Sequence, residues 1–216
     1  MSKPLNQIFK RFNTVFWDFD GVIKDSVEVK NIAFERLFSE CDKKTLIAIR
    51  NHHKENSGLS RFEKIPIYLS WAGKNTSSKN IQKYCQKFST LVKDSVIDSA
   101  WVPGVKKYLK NNYLKKNFII ITATPQDEIV EILIELSIQN YFVAVYGSPI
   151  TKINAISNSM KVFKCKDEGA IMIGDSLIDY EAAVENNIFF ALRQTQHNLS
   201  LQKSLDCFKF KDFNHE

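Results

Sequence analysis

The chain has 216 residues, and with 30 Lys or Arg against 24 Asp or Glu its formal net charge at pH 7 is +6. Hydrophobic residues make up 44% and charged residues 25%, an ordinary globular composition that excludes disordered, collagen-like and low-complexity chains. The four cysteines are far apart and fit neither a disulfide framework nor a zinc site, so we expect reduced thiols.

Membrane and nucleic-acid partners are not expected from the sequence. No run approaches the roughly 18 apolar residues of a membrane span, and Asp18 and Asp20 interrupt the apolar stretch near the N-terminus, which argues against a signal peptide. Basic residues are spread along predicted helices without interleaved aromatics, so their excess favours anionic small molecules over nucleic acid. We expect a cytoplasmic protein that is a monomer or a homodimer.

Five short apolar runs predict the strands of a sheet. They span residues 14–17, 117–121, 142–146, 170–173 and 188–192. Continuous β-branched and aromatic runs are typical of strands buried on both faces, and helical patterns lie between the later ones. This alternation predicts an α/β fold: a Rossmann-like parallel sheet of about five strands with helices on both faces.

A long segment between the first two predicted strands has no strong strand pattern. Its apolar residues recur at helical spacing, as at Val29, Ala33 and Leu37. We expect residues 28–99 to form a helical insertion into a core made of residues 1–27 and 100–216, with 103–104 (Pro-Gly) marking the return to the core. The polar stretch 194–216 predicts a helix followed by a loose tail.

Carboxylates follow two of the predicted strands. Asp18 and Asp20 leave the first strand with Gly21 opening the turn, whereas Asp175 directly follows the fourth strand and Asp179 lies four residues later. Ligands of open α/β sheets bind beyond the carboxyl ends of the strands. Neighbouring carboxylates repel unless a cation lies between them, and Mg²⁺ prefers oxygen ligands. The alternatives are an Asp-rich turn and, for Asp179, a favourable charge at a helix N-terminus.

The ends of the second and third strands carry phosphate-binding chemistry. The Thr122 hydroxyl and the Ala123 backbone N–H precede a helix N-terminus, which together form an anion site. We expect Thr124 to be the N-cap of that helix, with Pro125 at its first position. Lys152 would place a positive charge on phosphate oxygens, although a single lysine is a weak signal in a basic chain.

Acids, a hydroxyl, a lysine and a helix N-terminus together suggest Mg²⁺-assisted phosphoryl transfer. A Walker loop is absent, which disfavours a nucleotide-driven kinase, and an Asp carboxylate can act as the nucleophile. The motifs Asp-Phe-Asp-Gly-Val at 18–22 and Gly-Asp-Ser-x-x-Asp at 174–179 are specific. With the weaker motifs between them they resemble the haloacid dehalogenase superfamily, in the branch of phosphoglycolate phosphatase and β-phosphoglucomutase, over nearly the whole chain.

The resemblance implies a role for each carboxylate. Asp18 would be the nucleophile and a Mg²⁺ ligand. Asp20 would be the general acid/base and would bind Mg²⁺ through its backbone carbonyl, and a neighbouring anion would raise its pKa. Asp175 would be a further Mg²⁺ ligand supported by Asp179. Because the dehalogenases themselves lack the second Asp of the first motif, Asp20 favours a phosphatase or a mutase.

The resemblance also implies substrate contacts. Thr122, Ala123 and Lys152 would hold the transferring phosphoryl group. The helical insertion would be a cap, and its segment 56–63 resembles a specificity loop in which Gly58 gives a flexible tip and Arg61 contacts a second anionic group. The alternative for this segment is a helix start with a Ser-x-x-Glu capping box.

The sequence thus predicts a Mg²⁺-dependent phosphatase that hydrolyses a small phosphorylated metabolite through an aspartyl-phosphate. A phosphomutase with the same core stays open, as does a non-catalytic binding module that resembles a phosphoacceptor receiver domain. A phosphonate hydrolase would need a cap lysine that forms a Schiff base, for which Lys54 and Lys64 are candidates. His52 and His53 are expected to be surface or packing residues of the insertion.

Overall fold

A six-stranded parallel sheet forms the centre of the protein in a computed structural model that describes residues 8–214. The strand order is β3-β2-β1-β4-β5-β6, and every neighbouring pair is parallel. This confirms the predicted α/β, Rossmann-like fold. The strands are β1 (Thr14–Trp17), β2 (Asn117–Pro125), β3 (Ala144–Ser148), β4 (Ala170–Gly174), β5 (Phe189–Arg193) and β6 (Phe208–Phe210).

Helices cover both faces of the sheet and form the segment between its first two strands. They are α1 (Val27–Leu37), α2 (Lys43–Glu55), α3 (Arg61–Trp71), α4 (Ser78–Asp98), α5 (Val105–Asn112), α6 (Gln126–Glu135), α7 (Lys152–Val162), α8 (Leu177–Glu185) and α9 (Leu199–Ser204). Within residues 8–214, no helix combines the length and the apolar character needed to cross a membrane.

The central strand shows why its sequence is apolar at every position. β1 is buried throughout and lies between β2 and β4. Since successive side chains of a strand point to opposite faces, Val15 and Trp17 join one hydrophobic cluster and Phe16 joins the other. Burial on both faces fixes β1 at the centre of the sheet and carries Asp18 to its carboxyl end.

Residues 28–99 contain helices and no strand. Helix α1 packs against α2 and α4, and α3 packs against α4. Aromatic side chains fill the space between these helices: the ring centroid of Phe34 lies 4.0 Å from that of Phe88 and 5.3 Å from that of Tyr68. Because α4 also packs against α6, the insertion rests on the sheet's own helical layer.

The C-terminal prediction of a loose tail is wrong for the described residues. Beyond α9 the chain forms β6, whose Phe208 and Phe210 pair with Ala191 and Arg193 of β5. A three-residue edge strand is too short for its alternating pattern to stand out in the sequence. Phe213 then packs with its ring centroid 5.5 Å from that of Trp17, so the tail closes one side of the core. The last two residues lie outside the described range.

The start of α6 also differs from the prediction. Strand β2 continues through Pro125, which pairs with Ser148 of β3, and Pro125 rather than Thr124 is the N-cap residue. The backbone N–H of Thr124 donates to Thr122 Oγ1 at 3.3 Å. The continued pairing with β3 delays the helix by one residue, to Gln126.

Candidate active site

A cavity of about 40 Å³ lies at the carboxyl ends of the strands, between the sheet and the helical insertion. Eight of the nine side chains or backbone segments expected at a functional site line it: Asp18, Asp20, Gly58, Arg61, Thr122, Ala123, Lys152 and Asp175. The ninth, Asp179, lies behind the cavity wall and bonds to Lys152.

Asp18 is held in a fixed orientation at the end of β1. Its Oδ1 accepts a hydrogen bond from the backbone N–H of Phe19 at 2.7 Å, and its Oδ2 lies 2.9 Å from Lys152 Nζ. Burial raises the pKa of Asp18 to about 7; Lys152 opposes the rise, and Asp179 adds to it. A further positive charge near Asp18 would therefore favour its ionised, nucleophilic form.

Lys152 remains charged although it is buried. Lys152 is the first residue of α7. The hydroxyl of the N-cap residue Thr151 accepts a hydrogen bond from the backbone N–H of Asn154 at 3.2 Å. Burial alone would lower the pKa of Lys152, but the carboxylates of Asp179 and Asp18 raise it above its ordinary value. Lys152 therefore offers a permanent positive charge beside Asp18.

Asp179 fixes the position of that lysine. Its Oδ2 accepts hydrogen bonds from the Ser176 backbone N–H at 3.2 Å and from the Ser176 hydroxyl at 2.6 Å, which forms a capping box at the start of α8. Its Oδ1 accepts from Lys152 Nζ at 2.6 Å. Both oxygens are thus engaged, which fits a supporting role better than a role as a ligand.

Asp18, Asp175 and Asp179 form a buried carboxylate cluster in which one oxygen of each lies within 4.8 Å of the others. The pKa of Asp175 is raised well above its ordinary value by burial and by the charges of Asp18 and Asp179. A divalent cation would remove this repulsion, and carboxylate oxygens are the ligands that Mg²⁺ and Ca²⁺ take. The residues present therefore fit a divalent cation held by Asp18 and Asp175.

Gly21 makes the approach to this cluster possible. It adopts the left-handed region with φ of 75°, where a side chain is strained. A Cβ at this position would lie 2.2 Å from Asp175 Oδ2. Glycine is therefore required both by the backbone conformation and by the space that Asp175 occupies.

The expectation that a neighbouring anion raises the pKa of Asp20 is wrong. Burial does act to raise it, but the Lys30 ammonium and the Ser26 hydroxyl outweigh burial, and the pKa of Asp20 is lowered. Ser26 Oγ donates to Asp20 Oδ1 at 2.6 Å, and Lys30 Nζ donates to Oδ2. Thr124 Oγ1 also donates to Oδ2, at 3.3 Å.

Lys30 lies at the site although the sequence motifs do not indicate it. Its Nζ bonds to Thr124 Oγ1 at 3.0 Å as well as to Asp20, and it lines the cavity. The available signal was its position four residues after Ser26, the N-cap residue of α1, a spacing that brings the two side chains to the same side of the helix start. That signal has meaning only once α1 is known to begin directly beside the Asp20 turn.

Arg61 does not present a free charge to the cavity. Its Nη1 donates to Glu128 Oε2 at 2.8 Å and its Nη2 donates to Oε1 at 2.5 Å, while its guanidinium carbon lies 4.7 Å from the ring centroid of Phe88. Ser89 donates to the same Glu128 carboxylate. Because Glu128 belongs to α6, this buried ion pair joins the helical insertion to the core.

Close packing, rather than the expected flexible tip, explains why residue 58 is a glycine. A Cβ there would lie 2.5 Å from Ser176 Oγ, so glycine allows the loop to pack directly on the start of α8. The capping box is also present, since the Ser60 backbone N–H donates to Glu63 Oε2 at 2.9 Å. Segment 56–63 thus both begins α3 and borders the cavity.

The two histidines of α2 have different surroundings. His52 Nδ1 lies 3.1 Å from the hydroxyl of Tyr68, away from the cavity lining. His53 packs against Phe34, with 4.7 Å between ring centroids, as expected of a packing residue. His53 also lines the cavity, together with Lys64 of α3.

Comparison with known proteins agrees with this arrangement. The sequence matches the family described as haloacid dehalogenase-like hydrolase over residues 15–192. No curated protein is found to match the sequence.

Solved structures share the fold over almost the whole chain. A β-phosphoglucomutase from Clostridium difficile has 18% identity and a TM-score of 0.72, covering 94% of this chain and 92% of that one. A predicted phosphoglycolate phosphatase from Haemophilus somnus has 16% identity and a TM-score of 0.72, covering 94% and 95%. CbbY from Rhodobacter sphaeroides, in complex with xylulose-(1,5)bisphosphate, has 11% identity and a TM-score of 0.75, covering 94% and 95%.

The family match spans β2 to β4 and most of β1 and β5, and it includes the carboxylates at the ends of β1 and β4. The chain belongs to the haloacid dehalogenase-like hydrolase family.

Proposed function

We propose that the protein is a Mg²⁺-dependent phosphoric monoester hydrolase that acts on a small phosphorylated metabolite through an aspartyl-phosphate. The observation that carries this proposal is the pairing of Asp18 with Lys152 at 2.9 Å beside Asp175, in a cavity that Asp20 also lines. A nucleophilic carboxylate, a cationic neighbour and a second acid/base group are what phosphoryl transfer to an enzyme requires. The relatives described as phosphatases point the same way.

Two chemical steps follow from this arrangement. In the first, an Asp18 oxygen forms a bond to phosphorus, the ester P–O bond breaks, and protonated Asp20 gives its proton to the leaving alkoxide. In the second, Asp20 takes a proton from water, the resulting hydroxide attacks phosphorus, and Asp18 leaves with inorganic phosphate released. Lys30 holds the pKa of Asp20 low, which favours the ionised Asp20 that the second step requires. The proton that Asp20 gives away in the first step would enter the site with the monoanion of the phosphate ester.

The remaining residues bind and neutralise the phosphoryl group. Thr122, the Ala123 backbone N–H and Lys152 would contact its oxygens. Mg²⁺, held by Asp18, Asp175 and the backbone carbonyl of Asp20, would supply charge neutralisation. Asp179 would act through Lys152 rather than on the substrate.

We further propose that residues 28–99 act as a cap over a core of residues 1–27 and 100–216. Support comes from the buried Arg61–Glu128 ion pair and from Gly58 packing on Ser176, both of which join the insertion to the core beside the cavity. A closed cap excludes water other than the one that reacts. A cytoplasmic monomer or homodimer without a nucleic-acid or membrane partner stays a prediction.

A phosphomutase is the second candidate, because one solved relative is described as a β-phosphoglucomutase. It would use Asp18 and Asp20 in the same way and pass the phosphoryl group to a second hydroxyl instead of water. Product analysis separates the two: a mutase yields an isomer with no net phosphate release. A binding module of the receiver type would instead hold a long-lived acyl-phosphate at Asp18.

Phosphate release from a panel of phosphorylated metabolites, with and without Mg²⁺, tests the proposed function. We expect Mg²⁺-dependent release in the wild type and a loss of about a thousandfold or more in Asp18→Asn, because the amide cannot form the covalent intermediate. Asp127→Asn is the matched control, since Asp127 is exposed on α6. Full turnover in Asp18→Asn would refute the mechanism.

A further inference from the structure

Two basic side chains meet at the end of the cavity that the helical insertion forms. Lys64 Nζ lies 2.8 Å from His53 Nδ1 and 3.4 Å from the carbonyl oxygen of Ser57. Lys64 is 1% and His53 3% exposed. In the described part of the chain, no carboxylate pairs with either side chain, and His53 Nε2 is buried without a hydrogen-bond partner. We call Lys64 and His53 the basic pair.

The basic pair differs from the other buried lysines of the described chain. Lys152 has two carboxylate partners, and Lys24 donates to a backbone carbonyl and lies against the ring of Trp101. Lys64 has a neutral imidazole, a carbonyl oxygen at 3.4 Å and the ring of Phe34, whose centroid lies 5.9 Å from Nζ, but no carboxylate. An ammonium buried without an anion is strongly unfavourable, so packing alone does not explain why a lysine stands here.

Burial and nearby positive charges lower the pKa values of the basic pair. For Lys64, burial is the largest cause and Lys30 the next; Glu63 and Asp20 oppose them, and Lys152 acts in the same direction as Lys30. Burial likewise lowers the pKa of His53, with contributions from Lys64, Lys30 and His52. An anion arriving in the cavity would reverse this balance and allow Lys64 to take up a proton.

The hydrogen-bonding pattern also leaves a donor for a ligand. If His53 Nδ1 accepts from Lys64, the neutral ring carries its proton on Nε2, which is the atom without a partner. The other cations of the insertion at this cavity already have acid partners, since Arg61 pairs with Glu128 and Lys30 pairs with Asp20. The basic pair is therefore the group at this end of the cavity whose donors are not satisfied by an acid.

We propose that Lys64 and His53 bind a second anionic group of the substrate, a carboxylate or a second phosphate, while Lys152 and Thr122 bind the transferring phosphoryl group. The substrate class would then be short phosphorylated acids or bisphosphates, and neutral phosphate esters would be poor substrates. This inference rests on the proposed function for the identity of the reacting end. Because the basic pair lines the same cavity as Lys152 and Thr122, we expect a short spacer between the two anionic groups.

Binding of non-hydrolysable phosphonates tests the inference without relying on turnover. Calorimetry with Mg²⁺ present would compare phosphonoacetate with ethylphosphonate, and 1,3-propylenebisphosphonate with propylphosphonate. We expect the doubly functional member of at least one pair to bind the wild type about 10- to 100-fold more tightly, as a charge-assisted hydrogen bond provides. The pair that shows the preference identifies carboxylate or phosphate as the second group.

Variants separate this binding from packing. Lys64→Met should reduce the preference to within about threefold while leaving ethylphosphonate binding unchanged, and Lys64→Gln provides a second variant if methionine disturbs the fold. Lys54→Met is the matched control, because Lys54 is exposed on the same insertion, and it should keep the full preference. Binding of phosphonoacetate should also take up a proton in the wild type but not in Lys64→Met, measured in buffers of different ionisation enthalpy.

The outcomes distinguish this inference from the proposed function. Equal affinity for both members of both pairs in the wild type would overturn the inference, even if phosphate release established a phosphatase. A preference that survives in both Lys64 variants would overturn it too. Borohydride trapping of a phosphonoaldehyde on Lys64 would replace it with Schiff-base chemistry. Preferential binding without phosphate release would support it and count against hydrolysis instead.

Discussion

Lys30 shows how a single side chain can determine the ionisation of a proposed catalytic acid. Two carboxylates at one strand end would normally raise each other's pKa, and the sequence predicts such a rise for Asp20. Lys30 reaches Asp20 from the first turn of α1 and reverses the direction. It also bonds to Thr124, so it links the first strand end to the second.

We expect Lys30→Met to lower kcat about 10- to 100-fold with a smaller change in KM, because Asp20 would lose the partner that orients it. Lys30→Arg should recover part of this loss, since it restores a cationic donor. Lys44→Met, at an exposed site, is the control. Steady-state kinetics on the best substrate would decide, and unchanged kcat in Lys30→Met would show that Ser26 and Thr124 suffice to orient Asp20.

The burial of Lys64 predicts how the free energy of unfolding depends on pH. The folded protein holds the pKa of Lys64 well below its ordinary value, so between these two values the unfolded chain binds a proton that the folded chain does not. Stability then rises with pH and falls as pH is lowered. Lys64→Met should therefore be more stable than the wild type at pH 7, and the difference should shrink toward pH 10.

Urea denaturation at pH 7 and pH 9 would measure this difference. Lys54→Met should show no such pH dependence. A Lys64→Met variant that is less stable than the wild type at both pH values would mean that Lys64 contributes to packing more than its burial costs.

Among the structural elements, the buried ion pair between α3 and α6 connects the helical insertion to the core. Arg61 and Glu128 are both almost fully buried, so removing one partner leaves an uncompensated charge. We expect Glu128→Gln to lower the free energy of unfolding by about 3–5 kcal/mol. The double variant Arg61→Met/Glu128→Gln should be less destabilised than the sum of its single variants.

A double-mutant cycle by urea denaturation would check this coupling. Additive effects of the two substitutions would contradict the assignment of the pair as a joint between the two parts. Because Arg61 is engaged in this way, Arg61→Met should not remove the preference for phosphonoacetate, in contrast to Lys64→Met.

The same elements show how far the sequence could predict the structure. Central strands such as β1 are apolar at every position because both faces are buried, and a continuous apolar run of this kind can be recognised in the sequence. Strand β6 has three residues with a lysine between two phenylalanines, which no local pattern separates from a polar tail. The end of β2 was misplaced because pairing with β3, a long-range contact, extends the strand past Thr124.

The site residues that the sequence predicts differ in the same way from those that it does not predict. Asp18, Asp20 and Asp175 follow strand ends directly, so their convergence follows from parallel topology alone. Lys30 and Lys64 are two of many basic residues in the chain, and only the packing of α1, α2 and α3 brings them to the cavity. The sequence contains no local mark that distinguishes them from the exposed lysines of the same helices.

At the scale of the whole molecule, the cavity is narrow in this conformation, since about 40 Å³ has room for a few water molecules. The Arg61–Glu128 pair joins the helical insertion to the core beside it. We expect substrate entry to move the insertion relative to the core and to loosen this pair. Movements of this kind set the rate of many enzymes.

The contact between Gly58 and Ser176 has a consequence for how the two parts communicate. Ser176 holds Asp179, Asp179 holds Lys152, and Lys152 lies against Asp18. A ligand too bulky for the loop to pack on Ser176 would separate Gly58 from Ser176. Through these hydrogen bonds, we expect a ligand that displaces the loop to shift Lys152 and Asp18, so that ligand size would affect the proposed nucleophile as well as entry to the cavity.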